Sequence, residues 1–161
     1  MFYLMVLLLL KTAINSAKRR TDVFTKAKRS EVMSRIRSRG NKATELALVK
    51  LFRRHKITGW RRNQKIFGKP DFVFRQVRLA LFVDGCFWHC CPKHGTQPKS
   101  NAGFWRKKIS RNQARDRLVT RTLKKSGWVV LRIWEHELAK RNEPRLLNRM
   151  QRALGLKVIS R

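Results

Sequence analysis

Acidic residues are scarce in this chain: nine Asp and Glu stand against 40 Lys and Arg in 161 residues, for a formal net charge of +31. A pI near 11.8 leaves positive charge on nearly every face and draws polyanions, nucleic acid ahead of an anionic membrane. Each carboxylate therefore needs a reason to be there. Cysteine is equally sparse: the three, Cys86, Cys90 and Cys91, fall within six residues. An odd, clustered set excludes a secreted disulfide scaffold and suits metal binding in a reducing compartment. Long hydrophobic runs are lacking too. Met1–Leu10 (MFYLMVLLLL) is about half of the roughly 20 residues that span a bilayer, and it has neither the basic start nor the small-residue cleavage site of a signal peptide. At about 100–200 residues per domain the length excludes a large multidomain enzyme. The hydrophobic content of 42% is enough for a core, so disorder throughout is excluded as well.

Residues 1–20 read as an accessory extension, disordered or a misassigned start, 21–156 as one domain and 157–161 as a tail. Lys28–Arg39 (KRSEVMSRIRSR) has the spacing of a short basic helix ending at Gly40. Asn41 is placed to cap a second helix running to about His55, with Leu46, Leu48, Val49, Leu51 and Phe52 on its apolar face. Three strands are predicted over Trp60–Ile66, Asp71–Arg75 and Leu79–Asp84. Gly85 to Gly103 is loop-like, too long to stand without a staple, and rich in Cys, His, Pro and Gly. A long helix over Phe104–Ser126, a strand over Trp128–Trp134 and a last helix from about Glu143 to Leu154 complete the order. The fold class is α/β (α+β), a mixed sheet flanked by helices.

Three constellations carry chemistry. Cys86-x4-Cys91-x2-His94, joined by His136 beyond the last strand, suits a closed tetrahedral zinc site that ties the loop to the sheet, although Cys90 competes with Cys91 for the second position. His89 is then free for other work. Asp71 opens one strand and Asp84 ends the next, so both can lie at one sheet edge; with Glu45 they have the composition of a divalent-cation site for phosphodiester hydrolysis. On the long helix, Asn112 and Asp116 interrupt an otherwise apolar stripe of Trp105, Ile109, Val119 and Leu123. Helix capping or surface ion pairing is the plainer account of such acids. Finally, Phe87, Trp88 and Trp105 lie in or beside the loop, where apolar wedges on a basic surface suit insertion between base pairs; core packing is the alternative.

Asp84-Gly-Cys-Phe-Trp-His-Cys-Cys-Pro-Lys-His94, preceded by Gly68-Lys-Pro-Asp-Phe-Val73 and followed by Asn112-x3-Asp116 and Val130-Leu-Arg-Ile-Trp-Glu-His136, resembles the very short patch repair (Vsr) mismatch endonuclease family. Lys28-Arg-Ser-x2-Met33-Ser-Arg-Ile36 agrees as well, so the resemblance covers about Thr25 to Leu154. It implies a restriction-endonuclease-like (PD-(D/E)-x-K) fold with one structural zinc, and Mg²⁺-dependent nicking of one strand 5′ to the thymine of a T·G mismatch. By the same resemblance Asp71 would be the principal Mg²⁺ ligand, with the backbone carbonyl of Val83 a second. His89 would bind the scissile phosphate or protonate the leaving oxygen. Glu45, Asn112 and Asp116 would hold metal-bound waters or orient His89. Phe87, Trp88 and Trp105 would be the wedge, and Cys86, Cys91, His94 and His136 the zinc ligands.

Two departures stand out. Some members of that family have His where this chain has Asp84, which leaves Asp84 as general base or metal ligand. Cys86 occupies the place where the wider superfamily keeps its lysine, so metal ions, two by expectation, would carry water activation. The expected protein is a monomeric, cytoplasmic, nucleoid-associated nicking endonuclease. Its competitors are a non-catalytic zinc-stabilised DNA-binding protein and a membrane-surface protein using the apolar N-terminus.

Overall fold

The computed structural model describes residues 44–99 and 101–156, together with Thr25, Ala27 and Glu31. The chain divides into two units, Met1–Ile36 and Arg37–Arg161. In the first, Ala27 and Glu31 are helical. The rest of the expected basic helix, the N-terminal extension and the 157–161 tail lie outside the described residues, and the helix expected to be capped by Asn41 instead has Thr44 at its N-cap position.

Helix α1 (Glu45–Arg54) buries Leu48, Val49, Leu51 and Phe52, the apolar face anticipated from spacing. Glu45 in its first turn and Arg53 and Arg54 in its last complement the helix dipole. Strand β1 is only Trp60–Arg61, not the run to Ile66 expected from its composition. Asn63 adopts a left-handed conformation (φ 54°), which turns the chain out of the strand, and Ile66 packs elsewhere. Strands β2 (Phe72–Phe74) and β3 (Leu79–Asp84), helix α2 (Ala102–Lys125), strand β4 (Val129–Trp134) and helix α3 (Glu143–Ala153) lie where the pattern put them, within a residue or two. Two short 3₁₀ turns, Glu135–Leu138 and Lys140–Asn142, join β4 to α3.

The sheet order is β1-β2-β3-β4. The first two pairings are antiparallel, and β3 and β4 are parallel over Leu79↔Val129 to Asp84↔Trp134. Antiparallel neighbours need only a turn between them, whereas a parallel pair needs a crossover, and α2 supplies it. Alternate residues of β3 face opposite ways. Leu79 and Leu81, with Phe72, Phe74 and Ile133, pack on Leu48 and Phe52 of α1 and Leu146 and Met150 of α3. Ala80 and Phe82 pack on Val119 and Leu123 of α2. The result is a mixed α+β layering with helices on both sheet faces, and a central strand covered on both sides reads as a continuous apolar run. Phe52 anchors the larger core, edge-on to Phe72 at 5.2 Å and to Phe74 at 5.9 Å between ring centroids. Burying such a ring contributes about 1.5–3 kcal/mol.

One glycine positions the future site. Gly68 has φ +77°, and a Cβ there would fall 2.2 Å from Val119 Cγ1. Only a bare backbone lets this turn lie against α2 and deliver Pro70-Asp71 to the start of β2.

Candidate active site and metal centre

Because β3 and β4 are parallel, their last residues, Asp84 and Trp134, end at the same sheet edge. The segments that continue from them carry Cys86 and His136. There the thiolate and imidazole ligand atoms of Cys86, Cys91, His94 and His136 all lie within 4.8 Å of one another. His136 Nδ1 is 3.2 Å from Cys86 Sγ and 3.5 Å from Cys91 Sγ, and His94 Nδ1 is 4.0 Å from Cys91 Sγ. Bond lengths of about 2.3 Å to sulfur and 2.0–2.1 Å to nitrogen in a tetrahedron put S and N about 3.5 Å apart. The four donors fit a shared ion. Cys91 is the buried thiol of the adjacent pair and takes the second position; Cys90, with a left-handed backbone (φ 54°), lies outside the group. Burial pushes the Cys86 thiol up, and the nearby Cys91 sulfur adds to it. Burial and the neighbouring His94 lower His136, which favours the neutral imidazole that can donate a lone pair.

Asp71, one residue ahead of β2, accepts a hydrogen bond on Oδ2 from the Val83 N–H at 2.7 Å. Burial pushes its carboxyl from 3.8 up to about 6; the Val83 N–H opposes this, the charges of Glu45 and Asp84 add to it, and Arg132 opposes it. Among the described residues Asp71 makes no ion pair. Glu45, Asp84 and Asp116 do, whereas Glu135 accepts only from the Cys86 N–H, at 3.4 Å. Glu45 pairs with Arg62. Asp84 is clasped by the fork of Arg132, Nε to Oδ2 and Nη2 to Oδ1, both at 2.6 Å. Asp116 Oδ1 lies 3.1 Å from Arg132 Nη2, and Asp116 Oδ2 meets His89 Nδ1 at 2.5 Å. Burial works to raise Asp116, but the His89 hydrogen bond, with Arg132 and Arg115, holds it below the usual carboxylate range. His89 Nδ1 also stands 3.8 Å from Asp84 Oδ1. Asn112, one turn before Asp116 on α2, donates to the Trp88 carbonyl at 2.9 Å. The interruptions in the apolar stripe of α2 therefore clamp the loop that carries His89, and Asp116 also makes an ion pair with Arg115 at 3.8 Å, as the plainer account of that acid expects.

Phe87, Trp88 and Trp105 form one aromatic knot, with centroid separations of 5.0, 5.2 and 5.9 Å. Phe104 extends it, 5.3 Å from Trp105 and 59% exposed. Lys108 Nζ lies over Trp88 at 5.4 Å and over Phe104 and Trp105 at 5.8 Å. The knot belongs to neither buried core cluster.

Sequence reasoning missed Arg132, Arg62, Phe104 and Lys108. Arg132 had a signal: a single arginine inside the otherwise apolar VVLRIW strand. Phe104 and Lys108 flank Trp105 by one residue and by one helical turn, which is the spacing a helix-face reading would test.

A mixed α+β protein with a Cys/His group able to hold a metal ion, a carboxylate–histidine network and an aromatic knot on a strongly basic chain has parts that suit a nuclease. Residues 21–94 match the sequence profile of the DNA mismatch endonuclease Vsr. The chain is 46% identical over 115 residues to the type II nicking enzyme V.NaeI of Lentzea aerocolonigenes, covering 69% of each chain. It is 42% identical over 121 residues to the type II nicking enzyme V.NmeAIP of Neisseria meningitidis, over 73% of this chain and 84% of that one. It is 35% identical over 123 residues to the DNA mismatch endonuclease Vsr of Escherichia coli, over 76% of this chain and 78% of that one. The chain belongs to the Vsr endonuclease family, and is an endonuclease, a hydrolase acting on DNA. Among the described residues no helix is long and apolar enough to cross a membrane.

The raised value of Asp71 has a thermodynamic consequence. A carboxyl that titrates higher folded than unfolded binds its proton more tightly in the folded state, so it costs stability as pH rises from about 4 to about 6. Two pH units correspond to about 3 kcal/mol. Asp71→Asn, without added divalent cation, should therefore be more stable than the parent by about 1–3 kcal/mol at pH 7. The gap in denaturant midpoints should widen from about pH 4 to about 6 and level off above about pH 7. Equal stability of the two proteins across this range would show that the Asp71 carboxylate is not disfavoured by its surroundings.

Proposed function

We propose that this endonuclease nicks one strand 5′ to the thymine of a T·G mismatch by Mg²⁺-dependent phosphodiester hydrolysis, on a restriction-endonuclease-like scaffold with one structural zinc. The observation that carries the chemistry is the contrast among the carboxylates. Glu45, Asp84 and Asp116 each have a guanidinium or imidazole partner, and Asp71 has only a backbone N–H. A dication is what such a carboxylate lacks.

On this reading Asp71 holds Mg²⁺, with the Val83 backbone carbonyl as its second protein ligand. A bound ion supplies Lewis-acid polarisation of the phosphate and a more acidic water. His89 does the proton work. Asp116 engages its Nδ1, which leaves Nε2 to face the scissile phosphate and to hydrogen-bond it or give a proton to the leaving oxygen. Glu45 would help to hold a metal-bound water, and Asn112 fixes the loop backbone beside His89. Cys86, Cys91, His94 and His136 hold the zinc, whose role is to staple the loop. The basic surface binds duplex phosphates, and Phe87, Trp88 and Trp105 wedge beside the mismatch. The protein acts as a monomer, in the cytoplasm where DNA is. A non-catalytic DNA-binding protein is not favoured, because the family is one of endonucleases.

The test is a panel of labelled duplexes, matched, T·G and otherwise mismatched in several contexts, incubated with Mg²⁺. Nicking confined to T·G, on the thymine strand, is expected; equal cleavage of matched duplex would overturn the specificity. Asp71→Ala should abolish nicking and leave duplex binding intact, since the 40 basic side chains remain. Mg²⁺-dependent cleavage by that variant would remove Asp71 from the ligand role.

Zinc has its own readout. Elemental analysis should find one zinc per chain, and Cys91→Ser or His136→Ala should lose it together with a large part of the thermal stability. A folded, metal-free parent protein would refute the centre.

Trp88→Ala should weaken binding to T·G duplex more than to matched duplex, reducing their ratio by a factor worth about 1–3 kcal/mol, the usual value of stacking on an exposed base. The salt slope, about 0.9 per phosphate contact on a log–log plot, should not change, since no cation is removed. Equal loss for both duplexes would make Trp88 a general contact.

A further inference from the structure

Arg132 donates to two of the site's carboxylates, and nothing in the proposed chemistry yet uses it. Its Nη2 is shared between Asp84 Oδ1 at 2.6 Å and Asp116 Oδ1 at 3.1 Å, while Nε holds Asp84 Oδ2 at 2.6 Å. The two acids come from different elements, the end of β3 and the middle of α2. Arg132 is itself braced. Its guanidinium lies 4.8 Å from the centroid of Phe82, its register partner on β3. Its carbonyl accepts from Arg149 Nη2 at 2.9 Å, and Arg149 pairs with Glu137. Had Arg132 only to neutralise Asp84, the two-toothed clasp would suffice. Its contact with Asp116 adds something else, because Asp116 is the group that holds His89.

We propose that Arg132 is a positioning residue of the nicking reaction: it locks α2 to the end of β3 through Asp116 and Asp84, and so sets where His89 stands. Asp84 is then the anchor of that arginine, not a general base or a metal ligand. This explains how a carboxylate can occupy a position where other family members place histidine. In this chain it is enclosed by a guanidinium from the neighbouring strand and is 4% exposed. A fork with fixed donor geometry is required, since a lysine ammonium is a point charge that cannot reproduce its planar, two-toothed grip. The inference rests on the functional reading above.

The test compares the parent, Arg132→Met, Arg132→Lys, Asp84→Asn and the double variant Asp84→Asn/Arg132→Met on the T·G duplex. Single-turnover nicking rate with saturating protein and Mg²⁺ is measured beside duplex affinity, zinc content and melting temperature. Arg132→Met should slow nicking by about 10²-fold, the cost of misplacing a reacting group by an ångström, with affinity within about threefold of the parent and zinc retained. Arg132→Lys should fall between the two. Asp84→Asn, which keeps an acceptor for the arginine, should lose less than Arg132→Met. Leaving Asp84 buried and unpaired also lowers the melting temperature, so the double variant is decisive: it should regain thermal stability and stay slow. Recovery of rate along with stability would reduce Arg132 to charge neutralisation and overturn the proposal. So would an Asp84→Asn rate as low as that of Asp71→Ala, which would return Asp84 to the metal or the water. Failure of the parent chain to nick any duplex with Mg²⁺ would sink the functional reading itself, a result distinct from these.

Discussion

The parallel ladder between β3 and β4 is the constraint on which both centres depend. Its six register pairs end at Asp84↔Trp134, so the segments leaving the two strands emerge together at one edge of the sheet. An antiparallel pairing of the same strands would send Cys86 and His136 to opposite ends, and no metal could join them. The parallel arrangement also demands a crossover, and the helix that makes it, α2, runs past the 86–91 loop on its way back. That passage is what brings Trp105 to the aromatic knot, Asn112 to the Trp88 carbonyl and Asp116 to His89. Cys/His cluster, carboxylate network and aromatic knot share an edge because one topological choice delivers all their residues there.

Within that frame the charge balance is unusual. A chain with 40 basic residues offers a cation to any acid that can reach one. Glu137 has Arg149, Glu143 has Arg54 and His55, Glu45 has Arg62, and Asp84 and Asp116 share Arg132. Among the described residues Asp71 and Glu135 have no such partner, and burial pushes the Asp71 carboxyl up to about 6. A carboxylate kept apart from so many cations is held in a costly state by its surroundings. Groups in that condition concentrate at functional sites, where the cost is relieved by the ligand.

Most of this was legible before any coordinates. The 3.6-residue spacing of Leu48, Val49 and Phe52, the continuous LALFVD run and the glycine stops placed the elements, because burial on one or both faces leaves a periodicity in the chain. The Cys/His cluster could be read from spacing, as a loop of that length needs a staple. What could not be read was pairwise geometry. Composition favoured a strand through Ile66, but a left-handed Asn63 is a backbone event with no hydrophobic signature. Cys90 and Cys91 are equivalent as letters, and only the turn between them decides which one joins the group. The Arg132 partner of Asp84 could not be read either, because it is 48 residues away and becomes a neighbour only through strand register. Long-range ion pairs of this kind depend on topology, which local pattern does not encode.

The adjacency of Trp88 and His89 carries a last consequence. The loop that bears them is held by the Cys86/Cys91 side, by the Asn112 hydrogen bond to the Trp88 carbonyl and by Asp116 on His89. Held at three points, this segment has little freedom for either side chain to move without the other. On the functional reading above, Trp88 enters the base stack and His89 meets a phosphate of the same strand region. The distance from mismatch to nick is then set by one peptide unit rather than by a hinge between a recognition module and a catalytic one. Precision of that kind does not come cheaply in a loop, where mobility is the rule. On that reading the Cys/His group on one side and α2 on the other supply the rigidity that the loop's own sequence lacks, which would be the physical reason to keep a structural metal so close to a catalytic one.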